Sequence, residues 1–503
     1  MALQRLQDPA QAAQWLHARV TGTLHTDSRK LAAGDGFLAW SGAAHDARSH
    51  VQSAIAQGVR ACLVEAVEVE SFGFEGAEIA AFAQLKAHAG PIAAAYYDRP
   101  SRQLDVLAVT GTNGKTSTAW WLAQALSDPA IGRAGPCAVI GTLGIGRPPT
   151  LSATGLTSPD PVLLQRSLRE FVARGWSACA IEASSVGLIE RRLDGLQVHT
   201  AILTNFTQDH LDYHGSMAAY WEAKAALFRW PGLRAVVLNL DDAKGELLAN
   251  ELRDCGVDLW TYSCVKPARL CAIEVSHEAL GLRLVLREGQ QQHELRTALA
   301  GQFNASNLLA VLGAMRSLGI PLERAVAACR GLQPVPGRME WVREPGQPLV
   351  AVDYAHTPDA LEQVLAGLRP LAAQRGGRLW CLFGCGGNRD LLKRPQMAAI
   401  AGALADQVLV TSDNPRREPA LAIIEQILAG FSAAQMARVL VEVNRERAIE
   451  LALNQALAAD VVLLAGKGHE DYQEIMGVQR PFSDRAIASR LLRRRALGEG
   501  VAA

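Results

Sequence analysis

The run Thr110-Gly111-Thr112-Asn113-Gly114-Lys115-Thr116-Ser117 places glycines, a lysine and hydroxyl residues directly after the apolar stretch Asp105–Val109. Glycine lets backbone N–H groups turn toward phosphate oxygens, and a following helix N-terminus adds favourable potential. In such a loop the Lys115 ammonium reaches the β- and γ-phosphates and the Thr116 hydroxyl holds Mg²⁺. The spacing predicts a strand, this loop and a helix over Thr118–Leu126. Val109 stands where the full phosphate-loop pattern carries its leading glycine. A glycine turn with an exposed lysine is the plainer alternative. Gly-Lys-Thr between strand and helix favours nucleotide binding.

Further candidates follow downstream. Glu182 ends the apolar run Ala178–Ile181, and His210 lies in Gln208-Asp209-His210-Leu211-Asp212-Tyr213-His214. A carboxylate and an imidazole near a phosphate loop suit Mg²⁺ held partly through substrate oxygens. For Glu182 a helix-capping or ion-paired carboxylate is the competing reading, and for the histidine run a polar surface turn. Lys224 sits in a predicted helix, Met217–Phe228, where a lone lysine usually snorkels to the surface. A lysine in a partly apolar site can instead lose its proton and react as a neutral amine.

The elements that must position these residues read as alternating short apolar runs and Ala/Leu-rich helices, the pattern of parallel sheets with crossover helices. Several runs end in polar or small residues: Ala201–Leu203 at Thr204-Asn205, Leu379–Phe383 at Gly384-Cys385, Val408–Val410 at Ser412-Asp413-Asn414-Pro415-Arg416, and Val461–Leu464 at Gly466-Lys467-Gly468-His469-Glu470. In open α/β sheets ligands bind beyond the carboxyl ends of strands. Two such sheets are implied. Tyr97–Ser101 and the Pro/Gly-rich Gln333–Gly337 read as joints. They divide the chain into 1–100, 101–335 and 336–503.

Bulk properties exclude more than they assign. The 503 residues exceed one hydrophobic core. Lys plus Arg and Asp plus Glu each total 50, so no global charge argues for nucleic acid or membrane. The nine cysteines are scattered with no C-x-x-C pair, which predicts free thiols in a reducing compartment. Met1–Val20 lacks a signal-peptide core, and no apolar run could span a bilayer. A cytoplasmic location, no membrane insertion and no nucleic acid partner are expected.

The ordered set Thr110–Ser117, Glu182–Ser185, Thr204–Asp212, Phe303–Asn307, Gly337–Glu340 and Asp353–Pro358 closely resembles the Mur ligases of peptidoglycan synthesis. The resemblance runs from about Asp27 to Arg485. It implies three α/β domains: an N-terminal one for a uridine nucleotide, a central P-loop ATPase with a parallel sheet, and a C-terminal Rossmann-like one for the incoming amino acid. Within the family it is similar to members that extend UDP-N-acetylmuramoyl-L-alanyl-D-glutamate by a third peptide residue, with ATP as co-substrate and Mg²⁺ as cofactor. Monomers are expected.

By that resemblance Ser28, in Asp27-Ser28-Arg29, lies in the segment holding UDP, and Thr157, Ser158, Ser184, Glu190 and Arg192 hold the rest of the nucleotide substrate. Lys224 matches a lysine that the family carries carbamylated, where it helps hold Mg²⁺ with Thr116, Glu182 and His210. Catalytic roles fall to Lys115, Lys224 and His210, the last as metal ligand or general base. ATP is gripped by the loop from Gly111 through Thr112, Asn113 and Gly114 to Ser117, and by Asn304, Arg338 and Asp353.

Asp413-Asn414-Pro415-Arg416 is similar to the signature of members that use meso-diaminopimelate. That amino acid differs from lysine by a distal carboxylate, which a guanidinium recognises with two parallel hydrogen bonds. Arg389 and Arg416 would clamp it, with Gly466 and Glu470 taking the distal ammonium and backbone. An arginine there penalises a lysine substrate. The chain departs from the family pattern at Val186, Glu190, Asn388, Leu392 and the stretch Gly42–His45. A carboxylate at Glu190 near an anionic substrate requires a partner, for which Arg191 or Arg192 is expected. Two other readings remain open here. Folylpolyglutamate synthases share the phosphate loop and the lysine logic, and a P-loop ATPase that ligates nothing would share the loop alone.

Overall fold

The computed structural model describes residues 3–42, 45–278 and 281–497, so Ala43 and Ala44 of the Gly42–His45 stretch lie outside the described residues. Three large sheets succeed one another along the chain with helices over their faces, and a two-stranded antiparallel ribbon, Tyr472–Ile475 with Val478–Pro481, follows them. The first was not anticipated from strand-end chemistry. It is five-stranded and parallel, in the order Gln4–Leu6, Ile79–Phe82, Ala61–Glu65, Gly36–Ala39, Leu24–His25. Its strands are too short to show periodicity, yet Ala61–Val64 and Ile79–Phe82 are buried throughout.

The second sheet has eleven strands. Its centre is parallel: Asp258–Ser263, Ala235–Asn239, Thr200–Leu203, Asp105–Thr110, Ala178–Glu182 and Cys137–Gly141. Continuous apolar runs suit strands covered on both faces. Both flanks turn antiparallel, which the crossover pattern did not predict. On one flank, Gly281–Glu288 alternates buried Leu282, Leu284 and Leu286 with more exposed residues, the period of a sheet with one wet face. Those leucines join the core formed by Trp121 and Leu122 of the phosphate-loop helix and by Leu308, Leu312 and Met315 of helix Phe303–Ser317.

The third sheet orders Glu340–Val342, Leu349–Asp353, Val461–Ala465, Leu379–Phe383, Gln407–Val410 and Val439–Val441. All its neighbours are parallel except the first pair. Tyr97–Ser101 lies between the helix Leu85–Tyr96 and the strand Asp105–Thr110, and Gln333–Gly337 between the helix Leu322–Arg330 and the strand Glu340–Val342. Arg445 and Asp484 pair through two hydrogen bonds of 2.8 and 2.7 Å, both side chains fully buried, and tie the helices Arg445–Gln455 and Asp484–Ala496 together. No helix among the described residues is long and apolar enough to cross a membrane.

Two helices differ from expectation. The phosphate-loop helix spans Lys115–Ala125, beginning three residues early, because Gly114 at φ +83° closes the loop and leaves Lys115, Thr116 and Ser117 in the first turn. The helix carrying Lys224 spans Met217–Ala225 and tightens into a 3₁₀ turn over Ala226–Arg229 instead of running on to Phe228.

Candidate active site

A cleft of about 1480 Å³ opens between the second and third sheets, walled by the loops that follow their strands. The phosphate loop forms its floor. Gly111 and Gly114 both adopt positive φ, and a side chain at Gly114 would strike Asn307. Lys115 curls over the loop, its Nζ donating to the carbonyls of Gly111 (2.9 Å) and Thr112 (2.8 Å). Burial lowers its pKa, while Glu182 and Asp209 pull it back up. The N–H groups of Thr112 and Asn113 donate to the carbonyl and side-chain oxygens of Asn205 (both 2.9 Å), which leaves those at the helix start, Lys115 to Ser117, to meet phosphate.

Glu182 is buried at the end of its strand and accepts from the Thr116 hydroxyl (3.0 Å), the Thr142 N–H (2.8 Å) and the Thr142 hydroxyl (3.1 Å). Thr142 escaped the sequence reading, since a lone threonine after a strand carries no signal. Among the described residues no group of three or more His, Cys, Asp or Glu gathers to hold a metal. Mg²⁺ keeps waters and binds phosphate oxygens, so one or two protein oxygens suffice. Thr116 and Glu182 supply such a pair, and the donor set fits that ion.

Lys224 is not a snorkelling surface residue: it is 1% exposed. Its Nζ donates to the Gly111 carbonyl at 2.6 Å and lies 4.5 Å from the Tyr220 ring centroid. Burial, reinforced by Lys115, lowers its pKa well below the usual lysine value, with Asp209 opposing. A bare ammonium would repel Mg²⁺, whereas a carboxylated amine would supply an oxygen. His210 sits at φ +52° with Nε2 3.3 Å from Asp209. Burial lowers its pKa, so the ring is neutral at pH 7. Burial alone would raise the Asp209 pKa, but the positive potential of His210, His356 and Lys393 draws it to about 2.

Arg338 reaches the loop from the third sheet, donating to the Thr116 hydroxyl (3.3 Å) with its guanidinium over the Tyr354 ring (4.3 Å). Asp353 lines the cleft, but its oxygens accept from the backbone N–H groups of Met339 (2.7 Å) and Ala355 (2.8 Å). It therefore sets the Arg338 turn. Asn304, expected at ATP, does not line the cleft: it lies behind the wall, donating to Ala300 and accepting from Asn307, and Asn307 faces the cleft. Asp359 was also missed. It accepts from Asn113 at 2.8 Å and ties the third sheet's first helix to the phosphate loop.

Thr157, Ser184 and Arg192 line the cleft. Ser158 is fully buried behind them, bonding Ser184 (3.0 Å) and the Glu182 carbonyl (2.8 Å), while its own carbonyl accepts from Arg192 (3.0 Å). Glu190 is off the cleft wall. Its partners are Lys86 (2.6 Å) and Tyr213 (2.7 Å), which lower its pKa; Arg191 pairs with Asp194 instead. Ser28 lies away from this cleft, in a 3₁₀ turn that Asp27 caps.

At the far end Arg389, Asp413, Asn414, Arg416, Gly466 and Glu470 converge. Arg416 has φ +53° and Nη1 bound to the Gly387 carbonyl (2.8 Å), which aims it inward, whereas Arg389 is exposed. Pro415 is off the wall and serves the backbone turn, where the Asn414 carbonyl accepts from Gly387 N–H at 2.9 Å. Lys467, fully buried, holds Asn414 (3.0 Å) and Glu470 (2.9 Å), so one Glu470 oxygen is already engaged. Burial hides this lysine from any sequence signal.

Residues 109–315 match the Mur ligase middle domain, and residues 337–468 match the Mur ligase glutamate ligase domain. The chain is 58% identical over 500 residues to a UDP-N-acetylmuramoyl-L-alanyl-D-glutamate–2,6-diaminopimelate ligase of Acidovorax sp. (strain JS42), covering 98% of this chain and 99% of that one. A ligase of the same name from Pseudomonas aeruginosa is 47% identical, covering 93% and 94%. A solved structure so named superposes with a TM-score of 0.64 at 34% identity, over 94% of this chain and 95% of that one. Mycobacterium tuberculosis folylpolyglutamate synthase complexed with ADP reaches a TM-score of 0.62 over 76% of this chain and 91% of that one, but at 18% identity it shares the fold alone. The chain belongs to the Mur ligase family.

Proposed function

We propose that this protein is the ATP-dependent, ADP-forming ligase that adds meso-diaminopimelate to the D-glutamate γ-carboxylate of UDP-N-acetylmuramoyl-L-alanyl-D-glutamate in peptidoglycan precursor synthesis. One observation carries the reading: the phosphate loop and the Asp413–Arg416 turn face the same cleft from different sheets. A site that joins an activated carboxylate to an amine needs those two ends together.

The γ-carboxylate attacks the γ-phosphorus of ATP, ADP leaves, and an acyl phosphate forms. Lys115 and Arg338 offset charge on the transferred group, so positioning and electrostatics supply most of the acceleration. Bound at Thr116 and Glu182, Mg²⁺ would neutralise further phosphate charge. Arg192 and Ser184 orient the substrate, and Arg416 holds the distal carboxylate of diaminopimelate. Its amine then attacks the acyl carbon and phosphate leaves. His210, neutral at pH 7 beside Asp209, suits removal of the amine proton. Ser28 and its turn are assigned to the uridine end, and the segments 1–100, 101–335 and 336–503 to nucleotide substrate, ATP and amino acid. Free, mostly buried thiols fit a reducing compartment such as the cytoplasm.

Phosphate release from ATP, measured with the UDP-dipeptide and either meso-diaminopimelate or L-lysine, tests the reading. Release that depends on diaminopimelate and yields the tripeptide nucleotide supports it. Preference for lysine removes the arginine clamp, and release indifferent to either amino acid removes the ligase.

A further inference from the structure

A second cavity, of about 630 Å³, lies on the outer side of the third sheet, away from the cleft. It is framed by the strand Glu340–Val342 and the helix Asp484–Ala496, with Trp341 and Leu497 on its wall. Five arginines surround it: Arg343 at the strand end, and Arg485, Arg490, Arg493 and Arg494 along the helix. Two are neutralised, Arg485 by Glu340 (2.8 Å) and Arg490 by Glu446 (2.5 Å). Arg343, Arg493 and Arg494 have no acidic partner and no side-chain hydrogen bond among the described residues, although the formal net charge of the chain is zero. The Trp341 indole N–H is likewise buried without a partner.

Three like charges brought together on a fold with no overall excess raise its electrostatic free energy unless an anion offsets them. A guanidinium presents a planar fork of donors that matches phosphate oxygens. The volume is that of a small-molecule site, and the arginines approach from strand and helix, surrounding a recess. A concave recess favours a compact anion over a flat bilayer surface.

We propose that this groove is a second anion site, distinct from the ATP cleft, that takes a soluble ligand bearing a di- or polyphosphate group. Arg343, Arg493 and Arg494 hold the phosphates, and Trp341 borders the recess.

The test uses the full-length protein with the cleft saturated by Mg²⁺ and a non-hydrolysable ATP analogue, so that pyrophosphate titrated in a calorimeter reads only other sites. A saturable event is expected. It should weaken at least tenfold in the double variant Arg493→Gln/Arg494→Gln and in Arg343→Gln, with ligase turnover unchanged. Absence of a saturable event, or binding equal in wild type and both variants, overturns the proposal. A parallel arm pellets the protein with phosphatidylglycerol vesicles. Arginine-dependent pelleting without pyrophosphate binding overturns it in favour of a lipid surface.

Discussion

The Lys224 ammonium donates to the carbonyl oxygen of Gly111 at 2.6 Å, so the deepest lysine of the cleft is fastened to the first glycine of the phosphate loop. Burial beside Lys115 disfavours the charged amine. A neutral amine adds carbon dioxide, releasing a proton and forming a carbamate. Carbon-13-labelled bicarbonate should therefore give a carbamate signal in the wild type that vanishes in Lys224→Arg, and turnover should fall in carbonate-free buffer. No signal, with undiminished turnover, would show that Lys224 works unmodified.

Lys115 spans the loop it belongs to, and only ATP phosphates would draw its ammonium from the Gly111 and Thr112 carbonyls. Lys115→Ala is predicted to lower kcat roughly 10²–10³-fold, with a smaller effect on nucleotide affinity. Near-normal steady-state turnover would remove the phosphate-loop assignment.

Arg416 combines a left-handed backbone with a hydrogen bond to the Gly387 carbonyl. Lysine keeps the charge but loses the fork, so Arg416→Lys should raise KM for diaminopimelate by roughly one to two orders of magnitude while leaving KM for ATP unchanged. Equal KM values for diaminopimelate in the two proteins would move its distal carboxylate elsewhere.

Two histidines by the cleft stay neutral: burial, reinforced by Lys393, holds His356 at about 4, and burial with Arg338 and Lys467 holds His469 at about 3. Between those values and the unfolded value near 6.5, the unfolded chain binds more protons, so stability falls as pH drops through that window. The Asp209 carboxylate, held at about 2, titrates below it. Thermal unfolding should lose roughly 1–3 kcal/mol per histidine between pH 6.5 and 4, and His356→Gln should flatten the profile. A pH-independent midpoint across that range contradicts the assignment.

Arg445 and Asp484 face each other with no exposure. Asp484→Ala strands a buried guanidinium and should cost about 3–5 kcal/mol in chemical denaturation. A loss under about 1 kcal/mol would mean that water reaches Arg445.

The phosphate loop was legible because its chemistry is local: glycine conformations, a lysine and a hydroxyl within eight consecutive residues suffice. The parallel centres of the second and third sheets were legible from unbroken apolar runs. What escaped is set by partners remote in sequence. Asp359 meets Asn113 only because two sheets face each other, and Asn307 stands before Asn304 through the helical offset of three residues. The direct Glu190 partners, Lys86 and Tyr213, come from separate elements, so adjacency pointed to Arg191, which pairs with Asp194, and to Arg192, which contributes only its charge. Antiparallel flanks were missed because alternation in Gly281–Glu288 is short and blurred by the apolar Val285 at an outward position.

The strand ending in Asp353 pairs with Val461–Ala465, far downstream, and the strand entering the phosphate loop pairs with two strands made after it. Contacts so distant along the chain form slowly, whereas the neighbouring strands Leu270–Glu278, Gly281–Glu288 and Gln291–Thr297 pair locally and early. During synthesis the Arg338 turn therefore cannot be locked until the strand Val461–Ala465 has left the ribosome. A nascent or truncated chain can carry a complete phosphate loop and still lack a fixed Arg338. Competence to spend ATP is thus acquired late, together with the amino-acid end of the cleft, whose Gly466 and Glu470 follow that same strand.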